Sequence, residues 1–104
     1  MLIVRGENIY PSVIEDTLRR IDGFGGEFQV IVSRQKGSMD NLRIRAEYSP
    51  SHTDAIDALR TTMQQQLRAR LGVHADIELV PQGRLPRTEF KASRVIDERN
   101  LNKS

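Results

Sequence analysis

Apolar positions change their period several times along the chain, and each change marks an element. Leu2-Ile3-Val4-Arg5 is a short β-prone run, and Gly6-Glu7-Asn8 is a turn-rich tripeptide before Ile9-Tyr10, so a small hairpin or extended arm is predicted. Pro11-Ser12 then opens a helix in which Ile14, Leu18 and Ile21 recur at helical spacing, with Glu15 and Asp16 expected in its first turn and Arg19-Arg20 in its last, as the helix dipole favours. Asp22-Gly23-Phe24-Gly25-Gly26 breaks that period. Phe28, Val30 and Val32 next alternate with Gln29, Ile31 and Ser33, the pattern of a half-buried strand.

After a polar loop over 35–41, Leu42, Ile44, Ala46 and Tyr48 point one way and Arg43, Arg45 and Glu47 the other. Two such runs joined by a short loop predict an antiparallel pair with one wet face. Ser49-Pro50-Ser51 ends the second strand. Ser51 or Thr53 is placed to cap a long helix whose Ile56, Leu59, Met63, Leu67 and Leu71 keep spacings of three and four until Gly72. Ala75, Ile77 and Leu79 alternate with Asp76 and Glu78 in a third core strand, stopped by Pro81. The sequence therefore predicts an α+β, ferredoxin-like sandwich: a three-stranded antiparallel core sheet, both helices on one face and an N-terminal β arm. Beyond Gly83 follow a polar, proline-stiffened loop carrying Lys91 and a short helix over 92–99, with 100–104 frayed.

Composition narrows the function more than the fold. The 104 residues suit one domain spanning the whole chain. Sixteen basic residues are nearly matched by fourteen acidic ones, so the net charge of +2 is weak support for a nucleic-acid partner. Arg43 and Arg45 share a strand face, with Arg34 able to join them, but the aromatic stacking pair of an RNA-binding sheet is missing. There is no cysteine, which removes disulfide and thiolate chemistry and is compatible with a cytoplasmic setting. Apolar runs are far too short to span a bilayer, so no membrane partner is expected. His52 and His74 have no companion at ligand spacing, so no metal site is expected. Glu15-Asp16 and Asp97-Glu98 are neighbours on predicted helices and diverge by about 100°, which suits solvated charges better than an acid–base pair.

Two segments stand outside the packing logic: the arm around Gly6-Glu7-Asn8 and the loop around Lys91. The first reads Ile3-Val4-Arg5-Gly6-Glu7-Asn8-Ile9-Tyr10-Pro11-Ser12-Val13-Ile14-Glu15, the second Leu85-Pro86-Arg87-Thr88-Glu89-Phe90-Lys91-Ala92-Ser93-Arg94-Val95-Ile96-Asp97. Together, in this order and nearly a chain length apart, they resemble the carboxyl-terminal domain of AMP-forming acyl- and aryl-CoA ligases, most closely the phenylacetate–CoA ligase branch. The resemblance implies that this is the mobile catalytic lid of a longer enzyme whose N-terminal adenylation domain would be its partner. It implies ATP, Mg2+ and coenzyme A in the full reaction, none held by this domain alone, and an aromatic or other carboxylic acid as substrate.

Residue by residue, Lys91 matches the family's terminal lysine, which bridges the substrate carboxylate and the adenylate oxygens. Pro86 and Arg87 would stiffen and place its loop. Gly6, Glu7 and Asn8 match the turn that lines the pantetheine passage once the domain has rotated. The family commonly has glycine before the lysine; Phe90 stands here, and its ring would either block the close approach or anchor the loop on the large domain. The Gly23-Phe24-Gly25-Gly26 stretch is no substitute phosphate loop, because it lacks the lysine and hydroxyl such a loop needs. The alternative is a free-standing ferredoxin-like domain that binds a small ligand or forms a homodimer through a sheet edge. In the lid reading the first residues, already strand-like, fall just after an interdomain hinge, and the fragment alone is inactive.

Overall fold

The computed structural model describes residues 1–34, 39–87 and 94–99. Strands β1 (Leu2–Val4) and β2 (Glu7–Ile9) pair antiparallel as a hairpin, with Leu2 opposite Ile9. Helix α1 (Pro11–Arg19) begins on a proline, which costs nothing where the first N–H groups have no intrahelical partner. Its first turn holds no acidic residue: Glu15 and Asp16 lie a turn further in, because the helix starts at Pro11. They act through arginines instead, Glu15 through Arg19 at 2.9 Å and Asp16 through Arg20 and Arg70 at 3.0 and 2.7 Å.

Strands β3 (Phe24–Arg34) and β4 (Asp40–Tyr48) form the expected antiparallel pair, with Val30 opposite Ile44. A short 3₁₀ stretch (Pro50–Ala55) leads into α2 (Ile56–Leu71), and β5 (Asp76–Pro81) follows. The residue that caps this stretch is Ser49, whose side chain accepts the Ser51 N–H; Thr53 instead donates to the Pro50 carbonyl.

The sheet departs from the antiparallel expectation in two ways. It is four-stranded and mixed, in the order β5-β4-β3-β6, and β5 runs parallel to β4. A helix of α2's length carries the chain back along the sheet, so the next strand enters in the same direction as β4. The fourth strand, β6 (Val95–Asp97), lies parallel to β3 where a short helix had been expected. Val95-Ile96 is too brief an apolar run to display a period, so helix and strand were indistinguishable there.

One face of the sheet and both helices share the core. Ile14 and Leu18 of α1 and Leu59, Met63, Leu67 and Leu71 of α2 bury against Phe28, Val30, Val32, Leu42, Ile44 and Ile77. Val4 and Ile9 join the same cluster at zero exposure, so the N-terminal arm is bolted to the domain and not loose. The opposite face carries Gln29, Arg45 and Glu78 side by side across three strands, with Arg45 3.0 Å from Gln29 and 3.2 Å from Glu78. Among the described residues, no helix is long and apolar enough to cross a membrane.

Candidate functional site

The β1–β2 connection is a two-residue turn in which both residues have positive φ, 52° at Arg5 and 79° at Gly6. Such a turn matches the right-handed twist of its strands, and glycine is the residue that adopts it without steric cost. A Cβ built on Gly6 would meet nothing within 4 Å, so the space before its backbone is open. Glu7 and Asn8 are exposed on the strand leaving the turn. The Glu7 carboxylate lies beside Gly72, at the C-terminal end of α2.

An ionic network centred on the buried Asp40 fixes this hairpin to the sheet. Asp40 accepts from Arg34 Nε at 2.6 Å and from Arg99 Nη1 at 2.9 Å. Arg99 also donates to the Ile3 carbonyl at 2.7 Å and forks onto both oxygens of Asp97. Arg5 Nε closes the ring on the Asp40 carbonyl at 2.8 Å. The Arg34 hydrogen bond leads in holding the Asp40 carboxyl below its ordinary range, Arg99 adding to it against the desolvation that works the other way. Arg99 does the same for Asp97. A groove of about 1060 Å³ opens beside this network, lined by Ile3, Arg5, Gly6, Arg34, Asp40 and Arg99. Asp97 is thus a clamp for Arg99 and not half of a carboxylate pair.

Phe90 and Lys91 lie outside the described residues; the two feet of their segment do not. Leu85 is buried and its N–H donates to Glu47 Oε2 at 2.9 Å. Arg87 Nη1 stands 2.8 Å from Glu47 Oε1 as a short ion pair, off the line of a hydrogen bond. Pro86, between them, is exposed. The Gln82 amide donates to the Gly25 carbonyl at 2.9 Å. Glu47 itself has no exposed surface, although its strand phase is that of the solvated Arg43 and Arg45. Room for it comes from Gly25: a Cβ there would sit 2.8 Å from the Glu47 Cβ and 2.9 Å from its carbonyl carbon.

On the far side of the segment, Arg94 is buried and its Nε donates to Glu27 Oε1 at 2.6 Å, with the guanidinium 5.1 Å over the Phe28 ring. Glu27 reaches this position because β3 bulges between Phe24 and Phe28, which turns two successive residues, Glu27 and Phe28, inward. The glycines of 23–26 hinted at an irregular strand start. No pattern in the sequence distinguished Glu47 or Glu27 from surface carboxylates.

The Gly6 turn sits with Arg34 and Asp40 at one end of the β3–β4 pair, and the Leu85–Arg87 stretch is anchored at the other, beside Gly25 and Glu47. Asp40 and Glu47 lie seven residues apart along β4, a separation of about 23 Å. Of the other side chains singled out above, Arg43 and Arg45 share Glu78 as an ion partner, His52 packs against Gly23 with Asp22 at 3.6 Å, and His74 pairs with Asp76. Among the described residues, no three His, Asp or Glu side chains converge as metal ligands.

An open glycine turn lies at one end of this α+β domain, and the Leu85–Arg87 stretch is anchored on Glu47 at the other. Residues 6–99 match the family of AMP-binding enzyme C-terminal domains, and the chain belongs to that family. Its likeness to particular proteins is closer still. It is 34% identical to the phenylacetate-coenzyme A ligase of Escherichia coli K12 over 97% of this chain and 24% of the relative. It superposes with a TM-score of 0.90 and 40% identity on 2-hydroxyisobutyryl-CoA ligase, solved with 2-HIB-AMP and CoA in the thioesterification state, over 99% of this chain and 23% of that one. A separately crystallised domain of a phenylacetate-coenzyme A ligase from Bacteroides vulgatus matches with a TM-score of 0.85 and 30% identity, over 97% of this chain and 94% of that one. The chain spans about a quarter of the length of the curated relatives it matches.

Proposed function

We propose that this domain is the mobile C-terminal lid of an ATP-dependent acid–CoA ligase acting on phenylacetate or a closely related carboxylic acid. The observation that supports the reading is that the open Gly6 turn and the anchored Leu85–Arg87 stretch lie at opposite ends of the β3–β4 pair. A domain built this way presents one end or the other to a partner, not both, which is what a reaction in two half-steps at one shared site requires.

In the first half-reaction a carboxylate oxygen attacks the α-phosphorus of ATP, an acyl–adenylate bond forms and pyrophosphate leaves. Lys91 neutralises charge on the carboxylate and phosphate oxygens as it builds, a positioning and electrostatic task that a compact ammonium on a long stem performs well. In the second, the coenzyme A thiolate attacks the acyl carbon and AMP departs. The lid has by then rotated, withdrawing Lys91 and presenting the Gly6 turn, whose open backbone with no Cβ lets the pantetheine arm pass close.

The test is Lys91→Ala in the full-length ligase. Carboxylate-dependent ATP–pyrophosphate exchange is expected to fall by about 100-fold or more, while thioester formation from supplied acyl-adenylate continues at its ordinary rate. Undiminished exchange would sink the assignment.

A further inference from the structure

We propose that Glu47 is a positioning residue for Lys91, one half of a two-point clamp whose other half is Glu27; the inference rests on the adenylating role given to Lys91 above. Glu47 is a carboxylate with no exposed surface on the sheet face that also carries Arg43 and Arg45. Burying a charge costs several kcal/mol, and a well-packed apolar residue commonly serves stability at least as well. What a carboxylate supplies there is two acceptor oxygens. Both are spent on the stretch just before Lys91: one takes the Leu85 N–H, the other faces Arg87. Gly25 clears the space and Gln82 ties the same stretch to the Gly25 carbonyl.

The other foot is held by the same chemistry on the neighbouring strand, where the β3 bulge turns Glu27 inward to receive Arg94 at 2.6 Å. Arg87 and Arg94 are therefore both fixed at the bulged end of the β3–β4 pair. Lys91 is four residues from one and three from the other. A misplacement of about 1 Å at a reacting centre can cost about 100-fold in rate, so fixing the feet acts directly on the adenylation rate. It has no bearing on the second half-reaction, from which Lys91 is absent.

Glu47→Gln isolates this role. The amide keeps the shape but has a single acceptor oxygen, so either the Leu85 N–H or Arg87 loses its partner. In the full-length ligase, this variant is expected to lower kcat for ATP–pyrophosphate exchange by about 10- to 100-fold, with KM for ATP little changed and thioester formation from acyl-adenylate intact. Arg87→Gln should do the same, and the double variant should lose less than the product of the two single effects, because both act on the one Glu47 anchor. A melting curve on each variant reads folding; if Glu47→Gln unfolds, the half-exposed Arg87 carries the test. Lys91→Ala is assayed alongside. Exchange lost in Lys91→Ala but retained in Glu47→Gln and Arg87→Gln overturns the clamp alone, as does an equal loss in both half-reactions. Exchange retained in Lys91→Ala overturns the lid reading, and the clamp with it.

Discussion

Two glycines meet different demands, and their substitutions should fail differently. At Gly6 the demand is the backbone angle, with φ at 79° and open space ahead. Gly6→Ala should therefore cost about 1–2 kcal/mol, measured by urea titration, with the fold otherwise intact. At Gly25 the demand is space, since a Cβ would press on the Glu47 Cβ and backbone. Gly25→Ala should lower stability by about 1–3 kcal/mol and also loosen the Leu85 N–H from Glu47, seen as faster hydrogen exchange at that amide. The candidate residues Gly6 and Lys91 were legible in the sequence because they sit in segments that packing does not explain. Glu47 was not, since its position in the β4 alternation is that of a solvated side chain and only the return of Leu85 over it makes it buried.

At the level of elements, long periodic segments were readable and short ones were not. Both helices and the β3–β4 pair follow from their spacing. The direction of β5 depends on what α2 does in space, and β6 is only three residues long, so neither could be read from a local pattern. The α2 stripe supplies much of the core, and Met63→Ala, at zero exposure, should cost about 2–5 kcal/mol in a denaturant titration. The Asp40–Arg34–Arg99 network, which joins hairpin, β4 and β6, makes stability depend on pH. Asp40 and Asp97 have lowered folded-state values, so their contribution is complete at neutral pH. It declines as the pH falls through the ordinary carboxylate range, near 4, towards those lowered values. The urea midpoint should accordingly drop on acidification, and Asp40→Asn should flatten that drop while lowering the neutral-pH midpoint.

For the whole molecule, the decisive property is that one sheet separates the open Gly6 turn from the Leu85–Arg87 stretch anchored on Glu47. Core packing joins the hairpin, both helices and the sheet into one body, so a rotation that presents one end must withdraw the other. The two half-reactions should then be separable by substitution at the two ends. Lys91→Ala and Gly6→Val in the full-length ligase, each assayed for ATP–pyrophosphate exchange and for thioester formation from acyl-adenylate, test this most directly. Reciprocal loss is predicted: Lys91→Ala loses exchange and keeps thioester formation, and Gly6→Val keeps exchange and loses thioester formation. Loss of the same half-reaction in both variants, or of neither, would contradict a lid that works by showing its two ends in turn.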